Sequence, residues 1–254
     1  MIIILSPSKT MDFTAYKETV TPTPPLFISK AETLVSLIRQ MNTEEIRRMM
    51  SVSGPLAAQT KTRFAEWAPE HKQSNAKPAV FAFSGDVFDG LGASQFSNKD
   101  IEFAQKHLVI LSGLYGLLRP LDLMMAYRME LGFKWETEHF KNLYEFWKQD
   151  VNEAFEKLID QSKSKVVINL ASQEYFKILD LKKTDIQVVT PSFMELKDNK
   201  LKMVSLFAKR ARGMMAAYII KNKIQHPEDL KNFNGGNYGF LHEESKGDKL
   251  VFAR

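Results

Sequence analysis

Short apolar runs alternate along the chain with longer stretches of helical periodicity, which predicts strands separated by helices. Ile2–Leu5 is an apolar run that Pro7 ends, so we expect a buried strand that leads into a loop. Similar runs predict further strands at Ala79–Phe83, Leu108–Leu111, Val166–Leu170, Ile186–Thr190 and Leu201–Phe207.

Apolar residues three and four positions apart predict the helices. Ser29–Met41 has this spacing, and Thr43 opens a second helix that the SVSGP stretch closes. Pro55 suits the first turn of a third helix, which runs to about Trp67. Later helices are predicted after the N-cap residues Ser97 and Ser172, and at Leu143–Gln161 and Ala208–Lys223.

This alternation indicates an α/β fold, which we expect to be a single domain over residues 1–254 with a mixed sheet surrounded by helices. The order of the elements is too irregular for a standard doubly wound pattern, so the topology is predicted to be non-standard. The motifs GxGxxG, GxxxxGK[ST] and GxSxG do not occur. The common nucleotide-binding and hydrolase signatures are therefore missing.

The composition of the chain excludes several kinds of chemical site. The chain has no cysteine, which excludes disulfides, thiolate metal sites and thiol-based peroxidase chemistry. The five histidines are scattered without an HExxH pattern, so we expect no metal site and no cofactor. No apolar run approaches the roughly 20 residues that cross a bilayer. We therefore expect a soluble, cytoplasmic protein without a membrane partner.

The positive charge is concentrated in one segment. The chain has a net charge of +5, but Leu196–Lys223 alone contains eight basic residues and one acidic residue. Clustered positive charge is typical of nucleic-acid binding, although a solvated helix face is the ordinary alternative. Cations in the first turn of a helix beginning at Ala208 would oppose the helix dipole, so a bound anion would relieve that conflict. The predicted DNA-binding residues here are Lys209, Arg210 and Arg212.

A second basic stretch, Glu44–Trp67, predicts two short helices joined by a tight turn of small residues. Such a turn can offer backbone N–H groups and a helix N-terminus to one phosphate. Only one glycine lies in the turn, so an ordinary helical hairpin is the alternative. The predicted contacts are Ser53 and Gly54 at the phosphate, flanked by Arg47, Arg48, Lys61 and Arg63.

Polar residues follow several predicted strands, where open α/β sheets bind ligands. We predict anion binding in a cleft by Ser6, Ser8, Lys9, Thr10, Arg119 and Arg128, although Arg119 and Asp122 could instead only pin a loop. If the strand ends converge and the protein is an enzyme, the candidate catalytic residues are Lys9, Asp86, Tyr127, Arg128, Glu130 and Glu174.

Several segments resemble the YaaA family of bacterial peroxide-stress proteins: SPSKTMDF, FSGDVFDGL, LSGLYGLLRPLDLMMAYRMELG, YEFW, VVINLASQEYF and FAKRARGMMAAYII. They extend in order over nearly the whole chain. The resemblance implies a cytoplasmic protein that acts during hydrogen peroxide stress and limits damage from unincorporated iron. It also implies an unusual single-domain α/β fold with a positively charged cleft, a helix-hairpin-helix element at about residues 43–67, and binding to double-stranded DNA.

The leading hypothesis is therefore a DNA-binding protein of the peroxide response, largely without sequence specificity, whose partner is duplex DNA that is bent or damaged. The alternative is an enzyme that acts on a nucleobase, nucleoside or damaged DNA, like a glycosylase or lyase, with a small-molecule or nucleotide ligand in the cleft. A third hypothesis is an iron buffer that uses carboxylates such as Glu243 and Glu244.

Overall fold

A computed structural model describes residues 1–14, 20–181 and 184–254. Its strands are β1 (Ile2–Leu5), β2 (Thr10–Met11), β3 (Lys77–Pro78), β4 (Phe83–Ser84), β5 (Leu108–Ser112), β6 (Gly116–Leu118), β7 (Leu123–Met124), β8 (Val166–Asn169), β9 (Gln187–Lys197), β10 (Lys200–Lys202), β11 (Gly239–Phe240) and β12 (Lys249–Ala253).

The α-helices are α1 (Ile28–Arg39), α2 (Thr43–Met50), α3 (Gly54–Glu66), α4 (Ala79–Ala82), α5 (Asp86–Leu91), α6 (Asn98–His107), α7 (Leu143–Ser162), α8 (Gln173–Phe176) and α9 (Ser205–Asn222). Short 3₁₀ helices lie at Ala93–Gln95, Pro227–Asn232 and Gly235–Asn237.

An eight-stranded mixed sheet forms the centre of the fold, in the order β11-β12-β9-β8-β1-β5-β6 with β10 paired to β9. The pairs from β12 through β9, β8 and β1 to β5 are parallel. The strands β6, β10 and β11 are antiparallel to their neighbours. The predicted mixed α/β fold is confirmed.

Strand β1 is the most buried part of this sheet. All four residues of Ile2–Leu5 are fully buried, because β1 lies between β5 and β8 and both α7 and α9 contact it. A parallel strand covered on both faces needs a continuous apolar run rather than an alternating one. The sequence IIIL meets that need.

The chain reverses its direction of travel across the sheet at β1. After β1 it continues to β5 on one side, and it later returns to β8 on the other side. The loops after β1 and β8 therefore diverge, and a hydrogen bond links them: the Ser172 amide donates to Ser6 Oγ at 2.8 Å. Open α/β sheets bind ligands at such a switch point, beyond the carboxyl ends of the strands.

Two of the predicted strands are wrong in whole or in part. Ala79–Phe83 is mostly helical, because α4 covers Ala79–Ala82, and only Phe83 belongs to a strand. Periodicity cannot distinguish a short buried helix from a strand in such an apolar run. The Ala79 and Val80 amides donate to the carbonyls of Asp122 and Pro120, so a neighbouring loop supplies their acceptors.

The second error concerns the strand expected at Leu201–Phe207. Strand β10 ends at Lys202, and α9 begins at Ser205, three residues before the predicted start at Ala208. Leu206 and Phe207 are exposed rather than part of the core. The apolar character of Leu206 and Phe207 therefore does not indicate a buried strand.

Helices α5 and α9 cross at contact distance through two glycines. A Cβ atom added to Gly213 would lie 1.8 Å from the Val87 carbonyl oxygen, and one added to Gly90 would lie 2.1 Å from the Arg210 carbonyl oxygen. Both neighbours are backbone atoms, which cannot move without shifting a helix. The crossing therefore fixes where the first turns of α9 lie.

Helix α6 begins with the predicted N-cap, and this end is tied to α9. The Ser97 hydroxyl accepts from the Asp100 amide, and the Asp100 carboxylate accepts from the Ser97 amide, which completes a capping box. Asp100 also forms an ion pair with Lys223, which directly follows α9. The hydrogen bond from Lys223, followed by those from Ser97, lowers the pKa of Asp100 to about 2.

We expect Gly213→Ala to destabilise the fold by about 3 kcal/mol or more, because the added methyl group overlaps the backbone of α5. The matched control is Gly54→Ala, whose added methyl group has no atom of a described residue within 4 Å and should change stability by less than about 1 kcal/mol. Urea unfolding measures both. Equal stabilities of the two variants would contradict the close crossing.

We expect the stabilising effect of Asp100 to disappear in acid. Its pKa is lower in the folded chain than the value of about 3.9 typical of an unfolded chain, so the ionised form stabilises the fold above about pH 4 and this contribution vanishes as the pH falls towards 2. The difference in unfolding free energy between wild type and Asp100→Asn should therefore shrink below about pH 4. A difference that stays constant down to about pH 3 would contradict this account.

The control for the acid experiment is Asp185→Asn. Asp185 forms an ion pair with Lys165, but its side chain is 88% exposed, so the pair should contribute little at any pH.

Candidate functional site

A small pocket lies at the carboxyl edge of the sheet, next to the switch point between β1 and β8. Five of the six candidate catalytic residues line it, although they come from three separate parts of the chain: Lys9, Tyr127, Arg128, Glu130 and Glu174. Pro7, Ser8, Met11, Met129 and Tyr175 complete the lining. The predicted convergence of the strand ends is thus present for these residues.

Glu130 forms the ionic centre of the pocket. Its carboxylate accepts from Arg128 Nη2 at 3.0 Å, and its other oxygen lies 2.5 Å from Lys9 Nζ. The side chains of Arg128 and Glu130 are 14% and 15% exposed, whereas that of Lys9 is 63% exposed. Lys9 therefore covers a mostly buried pair from the solvent side.

The Arg128–Glu130 segment is held in place by a close backbone approach. A Cβ atom added to Gly113, which directly follows β5, would lie 2.2 Å from the Met129 carbonyl oxygen. The Gly113 carbonyl also accepts a hydrogen bond from Trp147 Nε1 at 2.8 Å. Only glycine at this position lets the segment pass directly over the end of β5.

Glu174 enters the pocket from α8, the short helix that follows β8. Its Oε1 atom accepts from the Gly132 amide at 3.0 Å, which fixes the carboxylate. Tyr144 donates its hydroxyl hydrogen to the Glu174 carbonyl oxygen at 3.0 Å. The second carboxylate oxygen, Oε2, has no hydrogen-bond partner among the described residues.

Tyr127 forms a wall of the pocket but is poorly suited to proton transfer. Its hydroxyl lies 2.7 Å from Ser112 Oγ inside the core. Burial raises the pKa of Tyr127 above the ordinary value for a tyrosine. The Tyr127 hydroxyl therefore stays protonated, and its hydrogen bond is already formed with Ser112.

The sixth candidate, Asp86, lies beside the pocket and does not line it. It is the first residue of α5, and the preceding Gly85 has a φ of +95° and passes close to Ser8.

Two of the predicted anion-binding hydroxyls have partners within the protein. The hydroxyl of Ser8 accepts from the Thr10 amide, and that of Ser6 accepts from the Ser172 amide in the loop after β8. Of the predicted anion-binding hydroxyls, Ser6 and Ser8 thus already have structural partners, and Thr10 is exposed in β2.

Arg119 lies outside this pocket. Its guanidinium forms an ion pair with the fully buried Asp122 at 3.0 Å, and the Thr23 hydroxyl also donates to Asp122. Arg119 lines a separate groove beside α7. The structure thus matches the alternative in which Arg119 and Asp122 pin a loop.

Strands β9 and β10 form a hairpin with two different faces, which we call the basic hairpin (residues 195–202). Asp198 and Asn199 form its turn, and both have positive φ values, as a two-residue hairpin turn requires. Cross-strand pairing places Lys197 opposite Lys200 and Leu196 opposite Leu201. Because side chains alternate along a strand, one face is lysine-rich and the other is apolar.

The lysine face of the basic hairpin is not neutralised by the described part of the chain. Lys200 faces Lys197, and like charges directly opposite each other repel. Lys202 faces Glu195, but that carboxylate already binds Arg254 at 3.1 Å and Tyr238 at 2.5 Å. None of these three lysines forms an ion pair with a described residue.

The basic hairpin extends from the same edge of the sheet as the pocket. Strand β8 pairs with β9 only as far as Val189, and β9 continues for eight residues to Lys197. At about 3.3 Å per residue, this extension is about 26 Å long. The pocket and the hairpin therefore share the carboxyl edge.

Helix α9 places its three predicted DNA-binding residues in different environments. Lys209 and Arg210 are exposed and form no ion pair with a described residue, whereas Arg212 is half-buried and burial lowers its pKa. Because α9 begins at Ser205, these cations follow its first turn. The prediction that they oppose the helix dipole there is wrong, since the dipole effect is confined to the first turn.

Helices α2 and α3 form a packed helical hairpin, and its charges differ from the prediction. The Nε atoms of Arg47 and Arg48 lie 2.7 Å and 3.6 Å from the carboxylate oxygens of Glu44, so this one carboxylate forms an ion pair with both arginines. Ser53 and Gly54 are exposed at the turn. The phosphate site at this turn, and with it the DNA-binding helix-hairpin-helix element, stays a prediction.

The two cations predicted on α3 lie away from that turn. Lys61 is exposed seven residues beyond Gly54, and Arg63 is half-buried nine residues beyond it, about 13 Å along the helix axis. Burial, and next the charge of Arg128, lower the pKa of Arg63. Arg63 is therefore close enough to Arg128 for their charges to interact, and its contact with a phosphate at Gly54 stays a prediction.

Sequence reasoning missed the apolar pocket walls and the cross-strand lysines. Met11, Met129 and Tyr175 carry no chemical signal, so nothing in the sequence distinguishes them from core residues. The lysine face could have been found, because an Asp-Asn turn between alternating lysines and leucines is typical of a hairpin.

The described residues contain no group of three or more His, Asp, Glu or Cys side chains arranged to hold a metal ion. Within the same residues, no helix has both the length and the apolar character that crossing a membrane would take.

Comparison with known proteins identifies the family. The family model described as peroxide stress protein YaaA matches residues 1–244. The chain is 42% identical over all 254 residues to a UPF0246 protein of Polynucleobacter necessarius subsp. necessarius, covering 98% of that relative. It is 44% identical over its whole length to UPF0246 proteins of Polynucleobacter asymbioticus and Ralstonia pickettii, covering 98% and 99% of them. The chain therefore belongs to the YaaA family of peroxide stress proteins.

Proposed function

We propose that this protein acts in the cytoplasm during the response to hydrogen peroxide by binding duplex DNA, largely without sequence specificity, and that it thereby limits iron-dependent DNA damage. Membership of the peroxide stress family supports the cellular role. The basic hairpin is the observation that carries the DNA-binding part. In this proposal the protein protects DNA by covering it, a role that requires no iron ligand.

The hairpin suits phosphate because none of its three lysines forms an ion pair with a described residue. A phosphate placed between Lys197 and Lys200 replaces a repulsion by two attractions. Lys209 and Arg210 follow within two turns at the start of α9, and they too are exposed and unpaired among the described residues. Contacts of this kind bind the DNA backbone and carry no sequence information.

Exposed apolar side chains on and next to the basic hairpin favour a bent duplex as the partner. Leu196 on the apolar face of the hairpin is 58% exposed, and Met203 and Leu206, which follow the hairpin, are 51% and 55% exposed. Proteins that kink DNA insert such apolar side chains between base steps while cations hold the backbone. This arrangement supports a preference for DNA that is bent or damaged, because such DNA is easier to unstack.

We expect the triple variant Lys197/Lys200/Lys202→Ala to bind duplex DNA at least tenfold more weakly at low salt. If all three lysines bind phosphates, the slope of log affinity against log salt should become shallower by about 2.7, because each lysine–phosphate contact adds about 0.9 to the slope. Fluorescence anisotropy across a salt series measures both quantities.

The matched control removes three lysines that already form ion pairs, in Lys148/Lys165/Lys231→Ala. It changes the net charge equally and should keep most of the salt slope. Equal slopes for the two triple variants would show that only net charge matters, which would contradict the hairpin as the site.

The pocket supports a second candidate function, an enzyme that acts on a nucleobase, nucleoside or damaged DNA. The supporting observation is that Lys9 forms an ion pair with Glu130 and lines the same pocket as Glu174, next to the switch point. After Lys9 passes a proton to Glu130, its amine can attack C1′ of a nucleotide, and the base leaves with the electrons of the C1′–N bond and takes up the proton that the attacking nitrogen loses. The nitrogen lone pair then forms the imine as the C1′–O4′ bond breaks, and O4′ takes up the proton from Glu130, so Lys9 stays bound to the opened sugar.

Borohydride reduces such an imine to a stable amine. On this candidate function, wild type should form a covalent adduct with an oligonucleotide containing damaged bases, and Lys9→Ala should not. The control Lys165→Ala, another exposed lysine with no part in the pocket, should keep the adduct. Gel electrophoresis detects the product, and an equal yield from wild type and Lys9→Ala would remove this candidate.

A further inference from the structure

The pocket contains one hydrogen-bond donor and one acceptor that the described residues leave unused. Arg128 Nε is buried and has no hydrogen-bond partner, although Nη2 of the same guanidinium is bound to Glu130. Glu174 Oε2, which is not buried, has no hydrogen-bond partner among the described residues, although Oε1 is bound to the Gly132 amide. Buried polar groups in native proteins usually have partners, so the unused Arg128 Nε indicates a missing ligand, and Glu174 lines the same pocket.

Both groups are held in fixed positions before any ligand binds. Arg128 is anchored by Glu130, which Lys9 also contacts, and Glu174 is anchored from the opposite side by Gly132. A guanidinium can only donate hydrogen bonds, and a carboxylate can only accept them. A ligand that satisfies both groups therefore carries an acceptor for Arg128 and an N–H donor for Glu174.

The remaining walls are apolar and partly flat. Tyr127, Met129 and Tyr175 are 2%, 2% and 6% exposed, and Met11 closes the lining beside Lys9. Burial raises the pKa values of Tyr127 and Tyr175, so both hydroxyls stay neutral and their rings act as uncharged surfaces. Apolar walls with a few oriented polar groups are typical of sites for small organic ligands.

We propose that this pocket binds a planar nucleobase, with Arg128 Nε donating to a ring carbonyl or ring nitrogen and Glu174 Oε2 accepting from the neighbouring N–H group. The base is either that of a free nucleoside or one extruded from DNA. This proposal deepens the second candidate function, because it names the chemistry that the pocket recognises. It depends on neither the basic hairpin nor catalysis by Lys9.

The proposal is tested first with free nucleosides and no DNA. Saturation-transfer NMR titrations with uridine and 3-methyluridine compare a base that has the required N–H with one whose N–H is blocked. We expect wild type to bind uridine at least tenfold more tightly. This comparison changes only the ligand, so it does not depend on how any variant folds.

The protein-side test is Glu174→Gln. Because the glutamine side chain would keep its carbonyl oxygen on the Gly132 amide, its NH₂ group would replace the free Oε2 and present a donor to the donor of the base. Uridine binding should fall at least tenfold, and the preference over 3-methyluridine should disappear. An unchanged melting temperature confirms that the variant is folded.

The second arm uses a duplex with one bulged uridine and a fully paired duplex. If the base comes from DNA, wild type should prefer the bulged duplex, Glu174→Gln should lose that preference, and Lys197/Lys200/Lys202→Ala should keep it while binding both duplexes more weakly. If wild type binds free uridine but shows no preference for the bulged duplex, the pocket is assigned to free nucleosides. If neither arm shows a preference that depends on Glu174, the proposal is overturned, whatever the salt series shows for the basic hairpin.

Discussion

The burial of β1 between two parallel strands is the constraint on which both the pocket and the basic hairpin depend. The four residues of β1 are fully buried between β5 and β8, and the chain leaves β1 towards β5 on one side and returns to β8 on the other, so the loops after Leu5 and Asn169 diverge. That divergence opens the carboxyl edge, where the pocket forms. Because β9 continues the same parallel arrangement, the basic hairpin extends from that edge too.

The two features use charge in opposite ways. In the pocket, Glu130 and Glu174 together balance the charges of Arg128 and Lys9, so what remains unused is hydrogen-bonding capacity rather than net charge. On the hairpin, Lys197 and Lys200 face each other, so what remains is positive charge. The first arrangement favours a neutral, oriented ligand such as a base, and the second favours a polyanion. The carboxyl edge of the sheet can therefore contact both a base and the phosphate backbone of a nucleic acid.

The sequence predicts those parts of this arrangement that depend on local or repetitive signals. The apolar run at Ile2–Leu5 and the Ser97–Asp100 capping box are found as expected, and the pocket contains the polar residues that follow the predicted strands. The remaining parts depend on neighbours that are distant in sequence: α4 takes its hydrogen-bond acceptors from residues 120–122, and the charge of Arg128 helps to lower the pKa of Arg63. The pairing of both Arg47 and Arg48 with Glu44 was also missed, because spacing alone does not say which cation a carboxylate binds.

The measurement that tests the central claim most directly is strand breakage of duplex DNA by ferrous iron and hydrogen peroxide, with wild type or the hairpin triple variant added at low and at high salt. The account predicts that wild type lowers breakage at low salt only, and that the variant gives little protection at either salt concentration. Equal protection by the two proteins, or protection by wild type that persists at high salt, would contradict the claim that the protein protects DNA by binding its backbone.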